Sequence, residues 1–133
     1  MSTESTQSYM LIFRGSDWCK GLSPEQMQQV VGDMMAWFNR LKDEGKVTAG
    51  APLEPEGKII SGKGGHNVAD GPFAESKEAI GGYFLVNAGS LDEAVTMAKE
   101  CPGLSYGAQV EVRPVASQCP MARAVEQQLA HAH

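Results

Sequence analysis

The chain is poor in three features that would each point to a particular class of protein. Its three cysteines form no Cys-x-x-Cys pair, so they lack the ligand spacing typical of a zinc site. No segment approaches the run of about 18 apolar residues that a membrane-spanning helix needs. Basic residues number 11 against 16 acidic ones, whereas nucleic-acid binders usually carry a basic excess or a basic face. We therefore expect a soluble protein that binds neither membranes nor nucleic acids.

The amino-terminal segment also lacks the basic start and the apolar run of a signal peptide, since Met1–Ser8 is polar and contains Glu4. An odd number of cysteines without an export signal fits a reducing compartment. We expect a cytoplasmic protein that carries no metal and no cofactor.

Glycine, by contrast, is abundant, because 15 of 133 residues is about 11% against an average of roughly 7%. Much of the excess lies between Gly57 and Gly82, where it predicts tight turns or close approaches of the backbone. The length, with 42% of residues apolar, predicts one domain with its own core. We assign that domain to residues 1–115, including a short disordered head, and treat 116–133 as a C-terminal extension with a short helix over 121–130.

The hydrophobic pattern predicts strands interleaved with two helices. Tyr9–Phe13 is continuously apolar and predicts a buried, central strand. Ser23, Pro24 and Gln26 give the capping signature of a helix over 24–44, whose apolar residues recur at helical spacing: Met27, Val30, Val31, Met34, Phe38 and Leu41. Further strands are predicted at 47–51, around Ile59–Ile60, at 66–69, at 80–88 and at 108–115, with a second helix from Leu91 that Pro102 ends.

This order predicts two βαβ-like halves that share an antiparallel sheet, with both helices on one face. The opposite face would carry Glu111 and Arg113 together with large residues near Tyr83 and Leu85. Because a sheet that helices cover on one side needs a cover on the other, we expect a homodimer packed through the sheet faces.

Several motifs stand in an order that is similar to one known family. They are Tyr9-Met10-Leu11-Ile12, then Asp70-Gly71-Pro72-Phe73 with Ala74-Glu75 and Lys77-Glu78, then Ile80-Gly81-Gly82-Tyr83-Phe84, and finally Cys101-Pro102 with Val110-Glu111-Val112-Arg113-Pro114. Over roughly residues 8–115 the chain resembles the DGPF group of the YCII-related proteins. The resemblance implies a ferredoxin-like α+β fold of the dimeric α/β-barrel type.

What the resemblance implies about function is less definite. Relatives in the wider superfamily perform lyase, isomerase or oxygenase chemistry on small, often aromatic molecules, and a His–Asp pair has been proposed as the active site. DGPF-type proteins are also associated with alternative sigma factors. Shorter YCII-type proteins carry the proposed catalytic histidine in the first helix, where this chain has no histidine. That site is therefore not transferred, and His66, just before the DGPF turn, becomes the candidate.

The candidate catalytic pair is His66 and Asp70, a general base with a carboxylate that orients it. In an extended strand these two side chains would lie about 13 Å apart, so the pair needs a bend at the turn. The alternative is a structural Asp70 that bonds the backbone amides of its own turn, with His66 on the surface.

The candidate substrate-binding residues are Phe73, Tyr83 and Arg113. Phe73 would form a pocket wall or would plug the core or the dimer seam. Tyr83 would donate a hydrogen bond or pack in the core or the interface. Arg113 would hold a ligand carboxylate, or would form an ion pair with Glu111 or Asp70.

Two functions remain open at this point. The first is a cofactor-independent enzyme, lyase- or isomerase-like, that acts on a small organic molecule, with aromatic molecules among the candidates. The second is a protein without turnover that binds a small ligand or regulates in association with a sigma factor. A concave pocket with His66 or Asp70 within hydrogen-bond reach of a second polar group would favour the enzyme.

Overall fold

The computed structural model describes residues 6–15, 17–72 and 79–131. Its six strands and three helices follow in the order β1 (Gln7–Arg14), α1 (Pro24–Asp43), β2 (Val47–Pro52), β3 (Lys58–Ser61), β4 (Asn67–Asp70), β5 (Ile80–Ala88), α2 (Leu91–Ala98), β6 (Gln109–Pro114) and α3 (Pro120–His131). None of these helices is both long enough and apolar enough to cross a membrane.

The main sheet has four strands in the order β2-β5-β1-β6, and every neighbouring pair is antiparallel. Helices α1 and α2 each join two strands that are not neighbours: α1 connects β1 to β2, and α2 connects β5 to β6. This crossed arrangement is the ferredoxin-like α+β fold that the resemblance implied. The predicted central position of β1 is confirmed, because β1 pairs with both β5 and β6.

Helix α1 begins where the sequence predicted it to begin. The Ser23 hydroxyl accepts from the Gln26 amide at 3.1 Å, and the Gln26 side chain accepts from the Ser23 amide at 2.9 Å. These two bonds satisfy amides that would otherwise lack partners in the first turn. The helix ends at Asp43, one residue before the predicted end. It buries Val30, Trp37 and Leu41.

The core lies between one face of the main sheet and the two helices. Alternate residues of the central strands point into it, and Leu11 of β1 and Val86 of β5 are fully buried. Helix α2 adds Ala94 and Met97 to the same cluster. Since successive side chains on a strand point to opposite faces, the intervening residues lie on the other face of the sheet. That open face is described below with the candidate site.

The two short strands β3 and β4 form a separate two-stranded sheet, paired from Lys58 with Asp70 to Ser61 with Asn67. Their eight residues are all exposed. The turn between them contains Gly62, Gly64 and Gly65, all with positive φ. A short apolar run specifies a strand without specifying its partner, so the sequence could not show that this hairpin stands apart from the main sheet.

Helix α3 follows β6 after a short connection. No residue in it is buried, although Met121, Val125 and Leu129 repeat at helical spacing along one side. Met121 is 77% exposed. Such apolar stripes normally pack on a core or a partner.

We expect Leu41→Ala to lower the free energy of unfolding by about 2–5 kcal/mol, since it deletes a large side chain from the core and leaves a cavity. Leu41 is only 2% exposed. Urea denaturation followed by circular dichroism measures the change. Leu91→Ala is the matched control, because Leu91 is 45% exposed on α2 and its loss should cost about 1 kcal/mol or less. Equal losses from the two variants would contradict this description of the core.

Candidate functional site

The predicted catalytic pair lies on the β3–β4 hairpin, with its two members at opposite ends of β4. His66 is in the turn, where its Nδ1 donates to the Lys63 carbonyl oxygen at 2.9 Å. Asp70 is the last residue of β4, and its carboxylate pairs with the Lys58 ammonium across the hairpin. Strand β4 separates the two side chains, and neither contacts the other. Their catalytic role stays a prediction.

The Asp70 turn itself is held by the backbone. The Gly71 amide donates to the Gly57 carbonyl oxygen at 3.0 Å, which continues the β3–β4 ladder by one more bond. Asp70 and Lys58 are both exposed in this pairing, so the ion pair is screened by water and contributes little to stability. Phe73, the fourth residue of the motif and a predicted pocket wall, lies outside the described residues.

The open face of the main sheet holds the other two predicted site residues, Tyr83 and Arg113. The register places Tyr83 beside Ile12 of β1, and Ile12 beside Glu111 of β6. Arg113 lies one step along the same face, opposite Met10. The predicted polar face of β6 is therefore confirmed, and it joins an apolar strip from β1 and β5.

A cluster of three charges lies at the β6 side of this face. The Glu111 carboxylate accepts from Arg14 at 2.6 Å and from Arg113 at 3.3 Å. The hydrogen bond from Arg14 is the main cause that lowers the pKa of Glu111 below its ordinary value of 4.5. Arg113 thus forms the ion pair with Glu111 that was one of its two expected roles, and its binding of a ligand carboxylate stays a prediction.

On the helix side of the sheet, a cavity of about 500 Å³ opens between α1 and the ends of β1, β2 and β5. The residues around it are apolar or small: Phe13, Gly15, Trp18, Cys19, Met34, Met35, Phe38, Gly50, Ala51, Pro52, Gly81, Gly82 and Phe84. No acidic or basic side chain occurs among these described lining residues. Its size falls in the range of small-molecule sites, about 300–1,000 Å³.

Aromatic rings form a connected wall along the cavity. The Phe84 ring is 4.8 Å from Phe13 and 4.9 Å from Phe38, measured between centroids. Behind it, the Trp37 ring is 5.1 Å from Phe84 and is almost fully buried. Rings at these separations attract one another beyond their simple burial. Trp37 belongs to the hydrophobic core cluster.

Glycine allows close packing beside this wall. A Cβ atom on Gly50 would lie 2.9 Å from the Phe84 ring and 3.2 Å from the Phe38 ring. A Cβ on Gly82 would lie 2.9 Å from the Ala51 carbonyl oxygen. The β1–β5 register shifts between Phe13 and Arg14, opposite Gly81 and Gly82. The backbones of β2 and β5 therefore approach closely at the cavity floor.

The sulfur atoms near the cavity are thiols and thioethers. Cys101 is buried, and its Sγ lies 3.7 Å from the Sδ of Met34. Burial raises the pKa of the Cys101 thiol, so it stays protonated near neutral pH. In the described ranges, no group of three His, Cys, Asp or Glu side chains is arranged to hold a metal ion.

The cavity is the part of the site that sequence reasoning missed. Its aromatic and methionine residues recur with the same helical or alternating period as core residues. The sequence pattern therefore does not distinguish residues that line a cavity from residues that fill the core. The one available signal was glycine at Gly50 and Gly81-Gly82, on strands that face the aromatic residues. Those glycines indicated a close approach of the backbone, but they did not indicate which side chains would line a cavity beside it.

With this geometry described, the comparison with known proteins identifies the class. Residues 9–124 match the YCII-related domain, and the chain belongs to the YCII-related family. A similar protein is an uncharacterised protein of Rhizobium meliloti (strain 1021). It is 33% identical over 102 residues, which make up 74% of this chain and 82% of that protein. The resemblance seen in the sequence is thus confirmed at the level of the family.

We expect Gly82→Ala to destabilise the protein and Gly32→Ala to stabilise it. At Gly82 the new methyl group meets the backbone of β2, which cannot move without breaking the sheet. At Gly32, on the exposed side of α1, it meets nothing within 4 Å, and alanine in place of glycine favours a helix by up to about 1 kcal/mol. Thermal unfolding of both variants measures the difference. A neutral or stabilising Gly82→Ala would contradict the close strand approach at the cavity floor.

Proposed function

We propose that this YCII-related protein binds a small, uncharged aromatic molecule in the cavity beside α1. The observation that supports this most strongly is the lining: three phenylalanine rings and Trp18 surround a space of about 500 Å³ without a charged side chain among its described residues. A planar apolar ligand would replace water there and stack on rings that are already in place. A charged ligand would lose its hydration without gaining a partner.

Binding without turnover agrees best with these residues, and it is the second of the two functions expected from the sequence. General acid–base chemistry needs a titratable group within hydrogen-bond reach of the ligand. Among the described lining residues, the Cys19 thiol is the one titratable side chain. The enzyme hypothesis rests instead on His66 and Asp70, which lie on the exposed hairpin. Association with a sigma factor, membership of the DGPF group and a cytoplasmic location remain predictions.

The test uses 1-naphthol as an uncharged aromatic probe and 1-naphthoate as its anionic counterpart, with affinities measured by isothermal titration calorimetry. We expect 1-naphthol to bind and Met35→Glu to weaken it tenfold or more, because the carboxylate would lie at the rim of the cavity. Met35 is 61% exposed, so this substitution should leave the fold intact. His66→Ala and Asp70→Asn are the controls, and both should change the affinity less than twofold.

Other outcomes would contradict the proposal and indicate where the site lies. Loss of binding in His66→Ala or Asp70→Asn, with Met35→Glu unaffected, would assign the site to the hairpin. Tighter binding of 1-naphthoate, abolished by Arg113→Gln, would assign it to the open sheet face. If neither probe bound to the parent protein, the proposal of an aromatic ligand would be contradicted.

We also propose that two copies associate through the open faces of their main sheets. This face carries a strip of large apolar side chains that are only partly buried in one chain: Met10, Ile12, Tyr83 and Leu85. Partial exposure of such a strip on the exposed side of a sheet is typical of an interaction surface. The Glu111 cluster would border it and add polar contacts at the rim.

We expect Leu85→Arg to convert a dimer into a monomer in sedimentation equilibrium, because it introduces a charge at the centre of the proposed interface. Leu91→Arg is the matched control, since Leu91 is 45% exposed on α2, at the other side of the sheet, and its replacement should leave the association unchanged. A monomeric parent protein, or a Leu85→Arg variant that associates as tightly as the parent, would contradict the proposed interface.

A further inference from the structure

Two consecutive methionines of α1 line the cavity, and their side chains have different surroundings. Met34 is half-buried, and its Sδ accepts a hydrogen bond from the Cys101 thiol, with the two sulfur atoms 3.7 Å apart. Met35 lines the same cavity and is 61% exposed. The cavity therefore has one methionine that packs on the core and one that water reaches.

This difference decides which of the two methionines an oxidant attacks first. The sulfur of a thioether carries lone pairs that react with peroxides to give a sulfoxide. At Met34 the hydrogen bond from Cys101 engages one of these lone pairs, and the core cluster limits the approach of a peroxide. The exposed side chain of Met35 leaves room for that approach. We therefore expect Met35 to react faster than Met34.

We propose that Met35 is an oxidation site at which a peroxide controls ligand binding in the cavity. The inference rests on the proposed binding of an aromatic molecule there and adds a regulation of that binding. A lone pair of the Met35 Sδ attacks one oxygen of hydrogen peroxide, so that a sulfur–oxygen bond forms and the oxygen–oxygen bond breaks. The released hydroxide takes the proton of the transferred oxygen and leaves as water. Sulfur loses two electrons, the peroxide gains them, and the product is methionine sulfoxide.

The sulfoxide changes the polarity of the cavity rim. Its oxygen accepts hydrogen bonds strongly, whereas the thioether of methionine is a weak acceptor on an apolar side chain. Among the other described lining residues, Trp18 and Cys19 alone carry a side-chain hydrogen-bond donor, and both lie in the loop between β1 and α1. An aromatic ligand without a donor would displace water from the sulfoxide oxygen and replace none of its hydrogen bonds. Oxidation should therefore weaken the binding of such a ligand.

Oxidation at this position leaves the core in place. Met35 is outside the buried cluster that contains Leu11, Trp37 and Leu41, so an added oxygen on Met35 is solvated by water. Met34 packs against that cluster, and an oxygen there would lie against apolar side chains. The change at Met35 is also reversible, because methionine sulfoxide reductases return the sulfoxide to the thioether. The exposed methionine thus allows the site to be altered and restored without unfolding.

Isothermal titration calorimetry with 1-methoxynaphthalene, an uncharged aromatic molecule without a hydrogen-bond donor, tests the proposal. Each protein is measured before and after treatment with hydrogen peroxide, and dithiothreitol is added afterwards to reduce disulfides and sulfenic acids. We expect the parent protein to lose affinity fivefold or more, and methionine sulfoxide reductases to restore it. Peptide mass spectrometry should show that Met35 gains one oxygen at least fivefold faster than Met34.

Two leucine variants assign the effect to one methionine. Met35→Leu lacks the reactive sulfur, so peroxide should change the affinity of this variant, relative to its own untreated form, less than twofold. Met121→Leu removes a methionine that is 77% exposed on α3, and this variant should lose affinity as the parent does. Circular dichroism of the oxidised parent should match that of the untreated protein, since the core is not altered.

The possible contrary results separate this inference from the proposed function. Unchanged affinity in the parent after complete oxidation of Met35 would overturn the inference and leave the ligand site as proposed. An equal loss in Met35→Leu would also overturn it, because another residue such as Cys19 would then carry the effect. So would faster oxidation of Met34, or a loss of circular dichroism on oxidation. Absence of binding before any oxidation would contradict the proposed function itself, and this inference with it.

Discussion

The packing of α1 against the sheet through the aromatic cluster supports the rest of this structure. The Trp37 ring of α1 packs against Phe13 of β1 and Phe84 of β5. The neighbouring Phe38 ring also packs against Phe84. This contact closes the core between helix and sheet, because large rings bury more apolar surface than any aliphatic side chain. The cavity lies beside the same contact, and Gly50 and Gly82 let the rings and strands approach closely at its floor. Stability and the candidate ligand site therefore depend on one set of residues.

The two faces of the sheet serve different purposes. The helix face holds the core and the apolar cavity, where the described lining carries no charge. The open face carries an apolar strip with the Glu111 cluster at its border, a composition that suits association with another protein. The predicted site residues Tyr83 and Arg113 lie on the open face, and the cavity lies on the other. A ligand in the cavity would consequently contact neither of them directly.

Much of the fold could be predicted because the signals are local. The capping residues Ser23 and Gln26 specified the start of α1, and its apolar spacing specified the buried side. The bounds of β5 agree with the prediction at both ends. A continuous apolar run between turn residues is typical of a buried strand. The candidate catalytic pair was less predictable, because a sequence spacing of four residues does not state whether the chain bends between His66 and Asp70. The chain is extended there, and Asp70 pairs with Lys58 of the neighbouring strand instead.

The amino-acid sequence by itself determined the elements, the central position of β1 and the family, because hydrophobic period, capping and motif order are properties of neighbouring residues. The tertiary structure alone decided which residues meet across the sheet. It brought Gly50, Gly82, Phe38 and Phe84 together from three elements to form a cavity, and it separated the hairpin from the main sheet. Free volume depends on what is absent between distant residues, and a linear pattern of side chains does not contain that information. The glycine excess indicated where the backbone is closely packed, and the fold determined that this packing lies at the floor of a cavity.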